Sequence, residues 1–427
     1  MTKPAGPLCN LDCEYCFYLE KAKLFPDQTE WRMTDETLEA YIRQYIAAQQ
    51  TPEVLFAWQG GEPTVLGVDY FRTIVDLQNK YANGKRISNA LQTNGTLLDD
   101  EWGTFLHENN FLVGVSIDGP EKIHDRYRVD KGQRPTFRKV MNGIHVLQKH
   151  RVEFNTLTVV QHHNVRYPLE IYSFLKEIGS TYLQFIPIVE RKASNVTDDE
   201  LDLVLPEFEE EANVAPWTVR PGELGEFLVT IFDEWVRKDV GRIYVQYFDV
   251  ALSAYAGYPP GLCVFNEVCG DALAMEHSGD LYACDHFVYP QYHLGNILND
   301  SISDLAGLPQ QRKFGTDKRD TLPKYCQECE VRFACNGDCP KHRFATTPDG
   351  EPGLSYLCAA YKRFFAHIAP HMNFMVNELN NNRAPANIMA HIRQQELQST
   401  GKTEPGPNDP CICGSNRKYK KCCGRVT

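Results

Sequence analysis

No run of 18 consecutive apolar residues occurs in the 427-residue chain, so no segment is long enough to cross a bilayer as a helix. A broad basic field is also missing, since 44 Lys plus Arg face 56 Asp plus Glu and the net charge is −12. That balance argues against nucleic acid as a partner and against an anionic membrane surface, and with no apolar run no membrane insertion is expected. The opening stretch, Met1-Thr2-Lys3-Pro4-Ala5-Gly6-Pro7, has no apolar leader core, and a cytoplasmic location is expected. Composition is otherwise ordinary, with 42% hydrophobic and 23% charged residues, which excludes disordered, collagenous and coiled-coil chains. Length points to two or three domains at roughly 100–200 residues each, with a large buried core.

Cysteine is absent from residues 17 to 262, although the chain contains 15. They fall instead into three tight groups, at 9–16, 263–358 and 411–423. Clusters of this kind in a reducing compartment argue for metal or iron–sulfur ligation, since a disulfide framework would spread its partners along a secreted chain.

Between the first two groups the pattern alternates. Thr34, Asp35 and Glu36 open a helix whose apolar face is Leu38, Tyr41, Ile42, Tyr45 and Ile46. Val54–Trp58 reads as a strand buried on both faces that ends in Gln59-Gly60-Gly61-Glu62-Pro63. Further strands are expected near 87–91, 111–117, 153–160 and 181–188, with helices near 68–80, 136–149 and 167–178. Repeated βα units imply an α/β fold with a parallel sheet closed or partly closed into a barrel, and function at the carboxyl ends of its strands. Residues 198–211 read as an acidic, helix-prone stretch, with Asp198-Asp199-Glu200 as a helix start, and 222–238 as an amphipathic helix. The region 261–358 has weak periodicity and looks organised by metal sites, and 380–410 reads as a helix and linker to a small tail module. His162-His163 and His367-x3-His371 have ligand-like spacing but no carboxylate company, and are given no role.

Cys9-x3-Cys13-x2-Cys16 offers three thiolates to a cluster of four irons. The iron left open can bind the amino and carboxylate groups of a small molecule. Zinc completed by a distant residue is the alternative. Cys263-x5-Cys269-x9-Gly279-x4-Cys284 and Cys326-x2-Cys329-x5-Cys335-x3-Cys339-x18-Cys358 supply eight thiolates, enough for two complete four-iron clusters or for a pair of structural zinc sites. Cys411-x-Cys413-x8-Cys422-Cys423 places four thiolates where one tetrahedral zinc could hold them.

The three-cysteine motif with Phe17 and Tyr18, joined to the Gly60-Gly61-Glu62-Pro63 loop, resembles radical S-adenosylmethionine enzymes. The resemblance implies a partial (β/α)6 barrel over 1–220, short of most of its first strand. It implies that the Gly60, Gly61 and Glu62 loop binds the methionyl amino group, with Ser116, Asp118 and Arg128 making polar contacts to the cofactor. The eight-cysteine pattern resembles the SPASM extension, expected over 261–375 after a connecting region at 221–260. That resemblance implies one auxiliary cluster on Cys263, Cys269, Cys284 and Cys339, and a second on Cys326, Cys329, Cys335 and Cys358. Beyond a helix and linker at 376–405, residues 406–427 resemble a SEC-C zinc module, with a protein partner expected for it.

Among SPASM-bearing enzymes the chain is most similar to the anaerobic sulfatase-maturating enzymes, on Lys3-Pro4-Ala5, Cys16-Phe17-Tyr18-Leu19, Gln92-Thr93-Asn94-Gly95-Thr96, Asp118-Gly119-Pro120, Tyr282-x-Cys284-Asp285 and Leu294-Gly295-Asn296-Ile297. The resemblance implies oxidation of a cysteine or serine in an unfolded or nascent sulfatase to Cα-formylglycine. It implies a 5′-deoxyadenosyl radical from S-adenosylmethionine, three [4Fe-4S] clusters and a low-potential donor such as flavodoxin or ferredoxin. Asp285 becomes the expected proton acceptor, and Tyr18 and Gln59 the expected peptide contacts. Another SPASM peptide maturase, forming thioether or carbon–carbon crosslinks, is the rival.

Overall fold

The computed structural model describes residues 1–26, 28–194, 200–208, 211–400, 406–411 and 417–421. Strands β1 (Glu53–Trp58), β2 (Arg86–Thr93), β3 (Leu112–Ser116), β4 (Phe154–Val160) and β5 (Tyr182–Pro187), with a short strand Tyr244–Val245, form one parallel sheet in sequence order. Helix α1 (Asp35–Ala48) precedes β1, and α2 (Val68–Tyr81), α3 (Asp100–Glu108), Phe137–Lys149 and Pro168–Glu177 cross between successive strands. Thr34 caps α1 as expected, its hydroxyl oxygen accepting from the Thr37 amide at 3.2 Å.

The expectation that β1 is buried on both faces is corrected. Val54, Phe56 and Trp58 pack under α1 and α2 with Tyr41 and Phe71, whereas Leu55 is 54% exposed. By the two-residue alternation of a strand, Leu55 shares its face with Gln59, Leu112 with Ser116, and Tyr182 with Gln184 and Ile186. That face lines the lumen, where Gln59, Ser116, Gln184 and Ile186 border a cavity. The barrel therefore keeps its interior open for function.

The sheet continues beyond β1 into the cysteine-rich region. Thr2 bridges in parallel both Trp58 and Met275, its amide donating to Ala57 O at 2.8 Å and its carbonyl accepting from Gln59 N at 2.9 Å. On the other side Lys3 N donates to Met275 O at 2.9 Å. Ala274–Met275 then pairs with Asp280–Tyr282 and that strand with His293–Asn296, all antiparallel. Gly279, at φ +89°, makes the tight turn between the first two.

Helix Pro221–Lys238 forms as expected. A 23-residue helix, Cys358–Asn380, was not anticipated. Its face Tyr361, Phe364, Phe365, Ile368, Met372 and Met375 is buried, with Phe364 against Phe232 and Phe248. Cys358 opens this helix, so a thiol of the cysteine-rich region is mounted on the barrel's own core. Within the acidic stretch, residues 200–208 are not helical, and Ala212–Val214 pairs with Arg191–Ala193 as a small antiparallel ladder. Asp198 and Asp199 lie outside the described residues.

Candidate active site

Cys9, Cys13 and Cys16 lie on the loop that leaves the Thr2 bridge. Asp12 N donates to Val129 O at 2.8 Å and Cys16 N to Cys13 O at 2.9 Å, which fixes the loop. The Cys9 sulfur accepts from Leu11 N at 3.3 Å. Asn94 clamps the loop from β2, its amide nitrogen 2.8 Å from Asn10 Oδ1 and 3.8 Å from Cys9 Sγ. The three cysteines line one cavity of about 380 Å³ with Tyr18, Gln59, Gly60, Gly61, Glu62, Ser116, Arg128 and Asp285.

The glycines are required by close approach. Gly60 (φ +82°) lies where a Cβ would meet the Lys3 stem at 2.5 Å, and Gly61 (φ +41°) where one would collide with Leu8 O. Glu62 N donates to Leu8 O at 2.8 Å. The buried Glu62 carboxylate accepts from Thr64 N (3.0 Å), Thr64 Oγ1 (2.6 Å), Thr93 Oγ1 (2.7 Å) and Asn94 N (2.6 Å). Burial still holds its pKa above the ordinary glutamate value, the four donors offsetting only part of the cost. Its side chain thus ties the loop to β2, leaving the loop backbone to face the cavity.

Ser116 and Arg128 border the cavity, whereas Asp118 sits one layer back and fully buried. Its carboxylate accepts from Tyr15 Oη at 2.5 Å and Val159 N at 3.2 Å, and pairs with Arg128 Nε at 3.1 Å. Asp118 therefore reaches the cavity through Arg128, because its oxygens are already occupied.

Asp285 enters from the opposite wall, after Cys284, and ion-pairs with Lys3. Burial alone would raise its pKa, but the Lys3 ammonium overcomes that and holds it below the ordinary aspartate value. Lys3, only 1% exposed, also lies 3.5 Å over the Tyr18 ring. Tyr18 donates to the buried Glu276 at 2.5 Å, so its ring borders the cavity while its hydroxyl is engaged. Gln59 borders it too, its amide nitrogen against Met1 Sδ.

The eight later cysteines separate into two sets. Cys263, Cys269, Cys284 and Cys339 border a cavity of about 110 Å³ that touches Asp285 and His286. Cys326, Cys329, Cys335 and Cys358 border another. All the described cysteines are free, and burial pushes Cys9, Cys13 and Cys284 up to about 12 and Cys358 up to about 11. Such thiols become thiolates only where a metal supplies positive charge. A single zinc with Zn–S bonds of about 2.3 Å would draw its ligands within about 4 Å of one another. Among the described residues no three His, Cys, Asp or Glu side chains are gathered for one ion. Thiols that border a shared void without closing on a point fit the wider iron–sulfur clusters better than zinc. For the tail, Cys413, Cys422 and Cys423 lie outside the described residues; Cys411 is buried, its amide donating to Arg417 O at 2.7 Å.

Several residues of the site were not singled out by sequence. Lys318 donates to the carbonyls of Cys263 (2.6 Å), Val264 (3.0 Å) and Asn266, and Arg343 to those of Gly337 (2.8 Å), Lys318 (2.6 Å), Asn336 (3.1 Å) and Asp338 (3.2 Å). These buried cations stitch the two cysteine sets together and carry no local sequence signature. The Lys3 role did have a trace, in the motif Lys3-Pro4-Ala5.

The chain matches the radical SAM superfamily over residues 4–175, the SPASM iron-sulfur cluster-binding domain over 263–330 and the SEC-C motif over 408–425. It is 50% identical over 398 residues to a serine-type anaerobic sulfatase-maturating enzyme of Bacteroides thetaiotaomicron, spanning 93% of this chain and 96% of that one. A cysteine-type anaerobic sulfatase-maturating enzyme of Clostridium perfringens is 33% identical, over 89% of this chain and 98% of its own. Native anSMEcpe with bound AdoMet and Cp18Cys peptide superposes with a TM-score of 0.77 at 31% identity, covering 88% of this chain and 98% of that one. Streptococcus suis SuiB bound to its precursor peptide SuiA, 12% identical with a TM-score of 0.54 over 84% and 75% of the two chains, shares the fold alone.

Proposed function

Because the chain belongs to the anaerobic sulfatase-maturating enzymes of the radical SAM superfamily, we propose that it oxidises one serine or cysteine of a sulfatase polypeptide to Cα-formylglycine. One juxtaposition supports this most. A three-cysteine loop, a Gly-Gly-Glu-Pro loop and a carboxylate from the cysteine-rich region all face one cavity.

When bound, the clusters and S-adenosylmethionine supply a 5′-deoxyadenosyl radical that takes hydrogen from the target β-carbon, and an exit for the second electron. Cys9, Cys13 and Cys16 would hold the first cluster, Cys263, Cys269, Cys284 and Cys339 the second, and Cys326, Cys329, Cys335 and Cys358 the third. The backbone of Gly60, Gly61 and Glu62 would hold the methionyl amino group, with Ser116 and Arg128 as polar contacts and Asp118 fixing Arg128. Asp285, kept ionised by Lys3, would take the proton of the target hydroxyl or thiol. The Tyr18 ring and Gln59 would border the bound peptide.

The 50% identity to a serine-type relative favours serine as the target. A flavodoxin or ferredoxin would deliver the electrons, the tail would carry zinc and dock a protein, and the enzyme would work in the cytoplasm. Among the described residues no helix is long and apolar enough to cross a membrane. The test is anaerobic reconstitution with S-adenosylmethionine, reductant and a peptide bearing S-x-P-x-R or C-x-P-x-R. Formylglycine with 5′-deoxyadenosine is expected. 5′-Deoxyadenosine without formylglycine from either peptide would pass the assignment to a crosslinking maturase.

A further inference from the structure

One buried ion pair in the cavity wall has no part in the chemistry assigned so far. Glu190 follows β5, its amide held by Thr218 Oγ1 at 2.9 Å and its carbonyl by Ala215 N at 2.9 Å. Its side chain is 2% exposed. One carboxylate oxygen, Oε1, is ion-paired with Lys341, which comes from the cysteine-rich region and is 6% exposed. The other, Oε2, is buried without a hydrogen-bond partner, and both residues border the cavity that holds Asp285. A buried carboxylate oxygen left empty costs stability until a donor arrives. Lys21, whose ammonium is also buried without a hydrogen-bond partner, lies over the Tyr289 ring and feels both charges of the pair, but it does not border the cavity.

We infer that Glu190 and Lys341 form a subsite that reads one main-chain amide of the sulfatase polypeptide. This rests on the sulfatase-maturating reading. A paired carboxylate and ammonium repel neither sign overall, but an anion would meet Glu190 and a cation Lys341. A neutral group carrying a donor beside an acceptor satisfies both, with its N–H on Glu190 Oε2 and its carbonyl on a free ammonium hydrogen. Position favours the polypeptide. Phe17 packs edge-on against His286 at 5.6 Å, and the Lys341 ammonium lies 4.8 Å from the centre of the same ring. One aromatic ring therefore separates the subsite from the Asp285–His286 corner. An extended chain advances roughly 3.3 Å per residue, so an amide two or three residues from the oxidised side chain reaches it.

The test uses the reconstituted holoenzyme, a labelled S-x-P-x-R peptide and Glu190→Gln. With Lys341 on the carbonyl of the substituted side chain, the carboxamide nitrogen would present a donor to the incoming N–H. The peptide Kd by anisotropy should then rise at least tenfold while the Kd for S-adenosylmethionine stays within about twofold. A second arm needs no variant. In a series of peptides N-methylated at one amide each, one position should weaken binding to the parent by a similar factor. That same methyl should add nothing further in Glu190→Gln. An unchanged peptide Kd, a loss confined to S-adenosylmethionine, or a methyl series with no position coupled to Glu190 overturns the inference. A parent that makes no formylglycine from the unmethylated peptide overturns the functional reading instead.

Discussion

The barrel and the cysteine-rich region hold their thiols by opposite means. Around Cys9, Cys13 and Cys16 the backbone does the work. Loops leave the ends of regular strands, and side chains such as Glu62 and Asn94 tie those loops together. Around the eight later cysteines the strands are two to four residues long, and the organising groups are the buried cations Lys318 and Arg343. The first set of thiols is framed by regular strands and their loops, whereas the second is framed by short ladders and buried cations.

The sharpest break of that contrast is Cys9, Cys13 and Cys16 changed together to Ala. Formation of 5′-deoxyadenosine should vanish and one third of about twelve irons be lost. The circular-dichroism spectrum should stay that of the parent, because none of the three belongs to the main core. Next, stripping all iron with a chelator under oxidising conditions should speed amide exchange across 261–345 by roughly two orders of magnitude or more while β1–β5 stay protected. Equal exposure of both regions would erase the distinction.

Asp285→Asn keeps the shape and removes the carboxylate proposed to accept the proton. Formylglycine output should fall by about two orders of magnitude, with some 5′-deoxyadenosine still formed and all clusters retained. Parent-level product would make Asp285 a partner for Lys3 alone. Glu62→Gln replaces an acceptor of four donors by a group with one acceptor oxygen, so the loop loosens and the Kd for S-adenosylmethionine should rise about tenfold. Smallest is Thr34→Ala, which removes a helix cap on the barrel's outside. It should cost about 1 kcal/mol in denaturant unfolding and leave turnover unchanged.

Much of the barrel was legible because helices announce themselves by period, as α1 does, and strands by short runs of apolar and β-branched residues, as β4 does. What the period could not say is that the inner face of the strands stays unfilled, since Leu55 is apolar on either account. The helix Cys358–Asn380 also carries its pattern, in Tyr361, Phe364, Phe365 and Ile368, but its first residue is a cysteine whose spacing belongs equally to the thiol series. Glu190 and Lys341 escaped for a different reason. An ion pair between residues 151 positions apart leaves no spacing to read.

The bridge at Thr2 has a bearing on how such enzymes can be recombined. Its peptide unit is shared by two sheets, and the next residue carries the ammonium that grips Asp285. A chimera that joined this barrel to a relative's auxiliary region at any loop between 240 and 262 would leave the seam's two halves from different parents. Residues 1–3 would have to travel with the donor of Met275 and Asp285, although they lie far from both along the chain.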